Sequence, residues 1–243
     1  MKTIYLILFV FVCNLSSYAQ GNNEDPSFAS STDLVIESTS VVYSQDLEQL
    51  VFTIEVEGSA GVTKPSPVGQ MDGAPVLGYV FPTTLLPTDV GFNDTEGIVA
   101  MALTSHPDFD DTPLWDENLD RDYLNDGVVW HAHWVILTEN TSVPGGLAVK
   151  QFDANDPSVQ LPPTNPGMPM YMDSPGYSVI AKANTIKVII PAYRMNNKTD
   201  FNFDAVTAYM EVNPSNPDLP LLGVYAVYSV ASGDLSLPYT VID

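Results

Sequence analysis

Cysteine is almost absent from this sequence, and the single one, Cys13, lies among the first twenty residues. Basic residues are also scarce: eight Lys and Arg stand against 30 Asp and Glu, which gives a net charge of −22 at pH 7. A uniformly acidic protein is repelled by nucleic acid and by anionic membrane surfaces, so the composition excludes both as partners. The same charge favours solubility and attracts cations.

Long apolar runs are missing as well. The longest early one, Ile4–Val12, is too short to span a bilayer and has the length of the apolar segment of a signal peptide. Lys2 precedes it, and small residues at Ser17 and Ala19 predict cleavage after Ala19. We therefore predict that residues 1–19 are a signal peptide and that the protein is secreted or periplasmic, with no membrane span.

Cys13 offers an alternative, a lipid anchor on the cysteine. This alternative is disfavoured because Val12 is larger than the small residue that usually precedes such a cysteine. After cleavage at Ala19 no cysteine remains, so no disulfide can form and stability has to come from burial.

Short β-branched and aromatic segments recur along the rest of the chain and predict strands. Residues 20–32 are polar and rich in turn formers, which predicts a flexible tail before a single domain at 33–243. Residues 177–191 predict a hairpin that turns at Ala183-Asn184, where Asn tolerates a positive φ. Six prolines in 153–176 exclude a central strand there. The other predicted strands are 34–43, 50–56, 98–104, 128–138, 147–152, 205–212 and 224–230.

This pattern predicts an all-β fold, because no amphipathic helix of convincing length is present. Eight to ten strands at this spacing favour a single antiparallel β-sandwich, immunoglobulin-like or carbohydrate-binding-module-like, with long acidic and Pro-rich loops. The segments NTIKVIIPAYRM (184–195) and FNFDAVTAYMEV (201–212) resemble the later strands of sandwich domains in the DOMON and carbohydrate-binding-module group. The resemblance covers about a quarter of the chain, implies a sandwich fold and carries no functional residues.

The histidines form the main candidate site, because all three lie within 28 residues beside the densest run of acids. Two of them are two residues apart in VVWHAHWVIL, a predicted strand, so their imidazoles point to one face while the flanking tryptophans point to the other. The third ends the preceding strand and joins them if the two strands are neighbours. One nearby carboxylate would complete a site for Zn, Cu(II), Fe or Mn. The candidate ligands are His131, His133 and His106, with Asp108, Asp110 or Asp111. The alternative is a set of ordinary, partly buried histidines that hydrogen-bond to carboxylates.

The acidic segment itself is a second candidate site, because Asp108–Asp126 holds eight acids in nineteen residues. Adjacent like charges repel, so such a loop gains stability from a cation. It resembles a calcium loop in composition but not in EF-hand spacing, since Leu124 falls at a ligand position. A solvated acidic loop is the alternative. The candidate calcium ligands are Asp116, Asp120, Asp122 and Asp126.

Other chemistry has weaker support in the sequence. Three methionines in MPMYM share a face of an extended segment, and as soft thioether ligands they suit Cu(I), although methionine also fills gaps under loops. Ser174 lies in a turn without an assigned base, and nucleophile-elbow, HExxH and phosphate-loop motifs are missing from the chain. The three tryptophans offer stacking surfaces for sugars or packing for a core. These residues are Met168, Met170 and Met172, and Trp115, Trp130 and Trp134.

The sequence thus favours a secreted, acidic, non-catalytic metal-binding protein. The alternative is an extracellular module that binds polysaccharide or protein, with its acidic loop either calcium-loaded or solvated. A metallohydrolase that uses the same histidines is a third hypothesis.

Overall fold

The computed structural model describes residues 28–112, 116, 118–122 and 126–243. The predicted signal peptide, residues 20–27 and Trp115 lie outside the described part. The strands are, in chain order, β1 (Ile36–Ser44), β2 (Gln49–Val56), β3 (Ala74–Pro82), β4 (Ile98–Ser105), β5 (His131–Glu139), β6 (Leu147–Val149), β7 (Met172–Asp173), β8 (Ser178–Lys182), β9 (Thr185–Pro191), β10 (Asn202–Phe203), β11 (Val206–Val212), β12 (Leu222–Val230) and β13 (Tyr239–Thr240). Short 3-10 helices span Thr32–Leu34, Pro87–Asp89, Asp126–Val128 and Ala192–Met195.

Six antiparallel strands close into a barrel. The order β4-β3-β11-β12-β6-β5 returns to its start because β5 also pairs with β4. β7 is a strand of only two residues that also pairs with β5. A separate four-stranded sheet has the order β1-β2-β9-β8. The predicted all-β, antiparallel character is confirmed, whereas the closure of a barrel differs from the predicted sandwich.

Alternation along β4 explains how the barrel is filled. Val99, Met101 and Leu103 point outward into a large core shared with the four-stranded sheet. Ala100 and Ala102 point into the barrel, where a second apolar cluster lies. The outward residues are bulky and the inward residues are small, so the shared core is densely packed while the barrel interior keeps open space.

The shared core holds the barrel and the four-stranded sheet together. Phe52 of β2 packs edge-on against Phe81 of β3, with ring centroids 5.3 Å apart, and also against Trp134 of β5. Each such side chain contributes about 1.5–3 kcal/mol when it is fully buried. The predicted tail also reaches this region, since the Phe28 ring lies 5.8 Å from the ring of Tyr209.

Two local features differ from the prediction. β3 was not predicted as a strand. In the turn of the β8–β9 hairpin, Ala183 rather than Asn184 adopts the left-handed conformation, with φ of 54°. The predicted hairpin itself is confirmed, with Lys182 opposite Thr185. Within the described residues, no helix is long and apolar enough to cross a membrane.

Candidate metal centre

Strand pairing brings the three histidines together. Within β5, Ala132 and Trp134 enter the shared core, so His131 and His133 face the other side, as the sequence predicted. β4 is the neighbour of β5, with Thr104 opposite His131. His106 follows the last residue of β4, and its backbone N–H donates to the Gly127 carbonyl at 2.7 Å.

One carboxylate, that of Asp111, completes the group. Its Oδ1 lies 3.3 Å from His106 Nε2 and 3.1 Å from His131 Nε2, and its Oδ2 lies 3.4 Å from His133 Nε2. The Nε2 atoms of His106 and His131 are 3.0 Å apart. Ligands that bind a tetrahedral ion at ~2.0–2.1 Å lie about 3.3 Å from one another, close to these separations. All the candidate ligand atoms lie within 4.8 Å of one another.

The outer nitrogens of the rings fix which nitrogen faces the centre. Each Nδ1 has an oxygen partner: the Phe109 carbonyl at 3.0 Å from His106, the Val129 carbonyl at 2.6 Å from His131, and the Ser174 hydroxyl at 3.0 Å from His133. Carbonyls only accept, so the first two Nδ1 atoms donate. Ser174 donates its hydrogen to the Asp111 carbonyl at 2.6 Å, so its oxygen accepts from His133. In neutral rings the three Nε2 atoms therefore carry the lone pairs.

The centre of the group consequently gathers acceptors in a region shielded from water. His106, Asp111, His131 and His133 are all buried, at 1 to 5% exposure. Asp111 Oδ1 and His133 Nε2 are buried and have no hydrogen-bond partner. Burying a carboxylate and imidazole lone pairs without partners is costly. A proton can bridge one pair of these atoms, whereas a metal ion satisfies all four ligands at once.

Burial and charge set the protonation of the group. Burial lowers the pKa of His133 to about 3, although the Asp111 carboxylate acts in the opposite direction. Burial also acts to raise the pKa of Asp111, but His133 and His106 outweigh it and hold that pKa well below its usual range. The site therefore presents a carboxylate and a neutral His133 imidazole at neutral pH, which are the forms that bind a metal.

The metal-free protein should lose stability in mild acid. Below about pH 6.5 the unfolded chain binds a proton at His133 that the folded protein binds only near its own pKa of about 3. The free energy of unfolding should therefore fall as the pH drops across this interval, and Asp111 should add to the loss only below about pH 3.8. Urea unfolding with a chelator at several pH values measures this. A His133→Gln variant should lose less over the same interval, and equal losses in both proteins would contradict the assignment.

Two carboxylates proposed as ligands face elsewhere. Asp108 accepts from the backbone N–H groups of Val68 and Gly69 at 3.0 and 2.6 Å, so it ties down a neighbouring loop. Asp110 accepts from the backbone N–H and the hydroxyl of Thr112, both at 2.7 Å, and so stabilises its own turn. Of the three aspartates, Asp111 is therefore the one that the structure brings to the histidines, and Asp108 and Asp110 accept hydrogen bonds elsewhere.

The acidic segment uses its carboxylates on its own backbone. Asp116 accepts from the N–H groups of Asp120 and Arg121 at 3.0 and 2.8 Å, and Asp120 accepts from Asp122 at 2.8 Å. The buried Asp126 accepts from the Asn118 N–H at 3.1 Å. Among the described residues, the side chains of these four acids do not come together as a group that could hold an ion. Residues 117 and 123–125 of the segment are not among those that the structure describes. Calcium binding by this loop stays a prediction.

Gly127 lets the end of the acidic segment dock against the site. A Cβ atom at this position would overlap the Phe109 carbonyl and lie 2.5 Å from the His106 carbonyl and 2.7 Å from its Nδ1. A side chain here would therefore displace the His106 ring and the carbonyl that orients it.

A Gly127→Ala substitution should lower metal affinity about 10–100-fold, the usual effect of losing an orienting partner, while leaving all four ligands in the sequence. Calorimetric titration with zinc measures this, with circular dichroism as the check on folding. Gly73→Ala is the control: a Cβ there has nothing within 4 Å, and because Gly73 has a φ of 75°, the change strains the backbone without crowding a neighbour. Wild-type affinity in the Gly127 variant would show that His106 does not need this support.

The other candidates take structural positions. Trp130 and Trp134 are core residues at 8% and 1% exposure, so they offer no stacking surface for sugars. Ser174 is also buried, and because its hydroxyl donates to the Asp111 carbonyl, its oxygen is left to accept from His133 and orient that ring. The sequence singled out Ser174 only as a turn residue, because its contact partners are distant in the chain.

A cavity of about 550 Å³ occupies the barrel interior and reaches the site. Its lining includes His106, Asp111 and His133 together with many apolar side chains. The three methionines of MPMYM line the same cavity, in an apolar environment. His131 lines a smaller pocket of about 220 Å³ instead. The site is thus part of the cavity wall.

Comparison of the chain with protein-family models, with curated proteins and with solved structures gave no significant match. The resemblance to DOMON and carbohydrate-binding-module domains gains no support from these comparisons.

Proposed function

We propose that this protein is an exported, acidic, non-catalytic metal-binding protein that holds one transition-metal ion through His106, His131, His133 and Asp111. The observation that carries the proposal is the convergence of three oriented Nε2 lone pairs on the buried Asp111 carboxylate, whose Oδ1 has no hydrogen-bond partner. Export is inferred from the signal-peptide pattern of residues 1–19.

The ligand set favours zinc or copper(II). Imidazole is a borderline ligand that suits these ions, whereas magnesium demands oxygen ligands and keeps its waters. Three nitrogens and one oxygen complete a four-coordinate shell of protein ligands, which is typical of zinc sites that bind without catalysis.

Two other functions have less support. Sugar binding by stacking finds no exposed surface at Trp130 or Trp134. A metallohydrolase needs a base near the ion besides the ligands, and of the described residues that line the cavity the only other acid is the exposed Asp234. Protein partners stay a hypothesis of the sequence.

The test is elemental analysis of protein purified without a histidine tag, followed by titration of chelated protein with Zn²⁺, Cu²⁺ and Mg²⁺. We expect about one equivalent of a transition metal, which excess magnesium does not displace. Magnesium that displaces the zinc would contradict the proposed ligand set.

A further inference from the structure

The barrel cavity is open because its wall carries small side chains. In adjacent strands Ala208 of β11 lies opposite Gly78 of β3, and Gly78 lies opposite Thr104 of β4. On the other side of β4, Thr104 lies opposite His131 of β5, and Ala102 lies opposite His133. Large residues at these positions would fill a six-stranded barrel, whereas these leave about 550 Å³, within the ~300–1,000 Å³ typical of small-molecule sites.

The cavity has a chemically distinct end. Along β4 the residues that line it are Ile98, Ala102 and Thr104, and His106 follows the strand on the same side. Ile98 is 39% exposed, and Val227 in the same lining is 36% exposed, so the cavity reaches solvent beside them. Seven residue steps of about 3.3 Å separate Ile98 from the end of β4, so a ligand that enters there meets apolar wall before the metal ligands.

Charge decides what head group fits that end. A divalent ion bound by three neutral imidazoles and the Asp111 carboxylate keeps one positive charge in a buried setting. The described residues that line the cavity include no Lys or Arg, and Asp234, the remaining acid, is exposed. The ion would therefore be the one fixed positive charge in this described lining, and an anion would neutralise it.

We propose that the barrel cavity binds a small apolar carboxylate whose head group binds the metal ion and whose chain lies along the barrel interior. This inference rests on the proposed metal site. His106, Asp111 and His133 line the cavity, so an ion that they hold together with His131 would be accessible from the cavity and would attract the carboxylate head group. Without the ion, the Asp111 carboxylate and the net charge of −22 repel such a ligand.

The experiment compares decanoate with decanol, which has the same chain and no charge. Calorimetry measures both with zinc-loaded protein and with protein kept metal-free by a chelator. We expect zinc-loaded protein to bind decanoate at least about tenfold more tightly than decanol, and metal-free protein to lose this preference. In cobalt-substituted protein, decanoate but not decanol should change the visible absorption of the ion, because the carboxylate enters its coordination shell.

A cavity variant separates binding inside the barrel from binding elsewhere. Ala208→Leu adds bulk to the cavity wall in β11, which holds no metal ligand and pairs with neither β4 nor β5, so the variant should retain zinc and lose decanoate. Ala181→Leu is the matched control, because Ala181 is exposed on β8 and does not line the cavity.

Each outcome decides between the two proposals. Zinc-loaded protein that shows no preference for decanoate over decanol, or an Ala208→Leu variant that holds zinc and still binds decanoate like wild type, overturns the inference and leaves the metal site intact. Protein that takes up no transition metal overturns the proposed function and the inference together.

Discussion

A double His131→Ala/His133→Ala variant should bind zinc on the order of 10⁴-fold more weakly than the wild-type protein. Four-ligand zinc sites contribute about 10–16 kcal/mol of binding free energy, so each ligand accounts for roughly a quarter of it, or about a hundredfold or more in affinity. Both histidines belong to the same buried group, at 4% and 1% exposure, so no solvent-exposed ligand stands ready to replace them. Titration of chelated protein with zinc measures the loss.

The control for this variant is Asp153→Ala, because Asp153 is exposed and its side chain accepts hydrogen bonds from the nearby Asn155. Asp173 is unsuitable as a control, since it is buried, bonds to Thr164 and precedes the Ser174 that orients His133. An inert core pair predicts a different result: a large loss of stability in the double variant with unchanged zinc affinity. That result would show that the histidines are structural.

Metal binding should raise the melting temperature of chelated protein by about 5–10 °C at a hundredfold excess of zinc over its dissociation constant. Binding to the folded state alone contributes about 2.7 kcal/mol at that excess, and 1 kcal/mol shifts the melting temperature of a domain of this size by about 2–4 °C. The ion also relieves the unpartnered Asp111 Oδ1 and His133 Nε2. Thermal unfolding followed by circular dichroism measures the shift, and a chelator should reverse it.

An Asp111→Asn variant sharpens this experiment. It keeps the size of the side chain, removes its charge and should lose most of the shift. If zinc stabilises this variant as much as the wild-type protein, Asp111 is not a ligand. An equal shift with magnesium would point to the acidic loop, where a calcium-type site would bind oxygen-seeking ions.

The part of the site that depends on spacing within one strand could be predicted from the sequence. The two-residue spacing of His131 and His133 predicts one face of one strand, and β5 has that geometry. The position of His106 beside these two histidines could also be predicted on the assumption that the two strands pair, and β4 and β5 do pair. Period-two alternation is a property of the chain itself, so it can be read without knowing the fold.

The rest of the site depends on contacts between distant parts of the chain. The three aspartates within four residues could not be told apart in the sequence. In the structure Asp108 accepts from the Val68 N–H and Asp110 accepts from the Thr112 N–H, which leaves Asp111 to face the histidines. Ser174 reaches His133 across 41 residues of sequence. Neither contact leaves a local pattern that periodicity or composition can detect.

The barrel was missed for a related reason. β3 is buried on both faces and contains Pro75, Gly78 and Pro82, so it shows neither alternation nor the composition of a typical strand. Closure depends on the additional pairing of β4 with β5, and the sequence of one strand does not show which other strands it pairs with. The cavity in turn follows from closure combined with the small residues Ala102 and Ala208.

X-ray absorption spectroscopy of zinc-loaded protein tests the central claim most directly, because it counts the atoms bound to the ion. For the wild-type protein we expect a first shell of light atoms at ~2.0–2.1 Å with the outer-shell scattering of three imidazoles. For the His131→Ala/His133→Ala variant we expect a loss of imidazole scattering. A first shell of oxygens alone, without imidazole scattering in the wild-type protein, would contradict the assignment of His106, His131 and His133 as ligands.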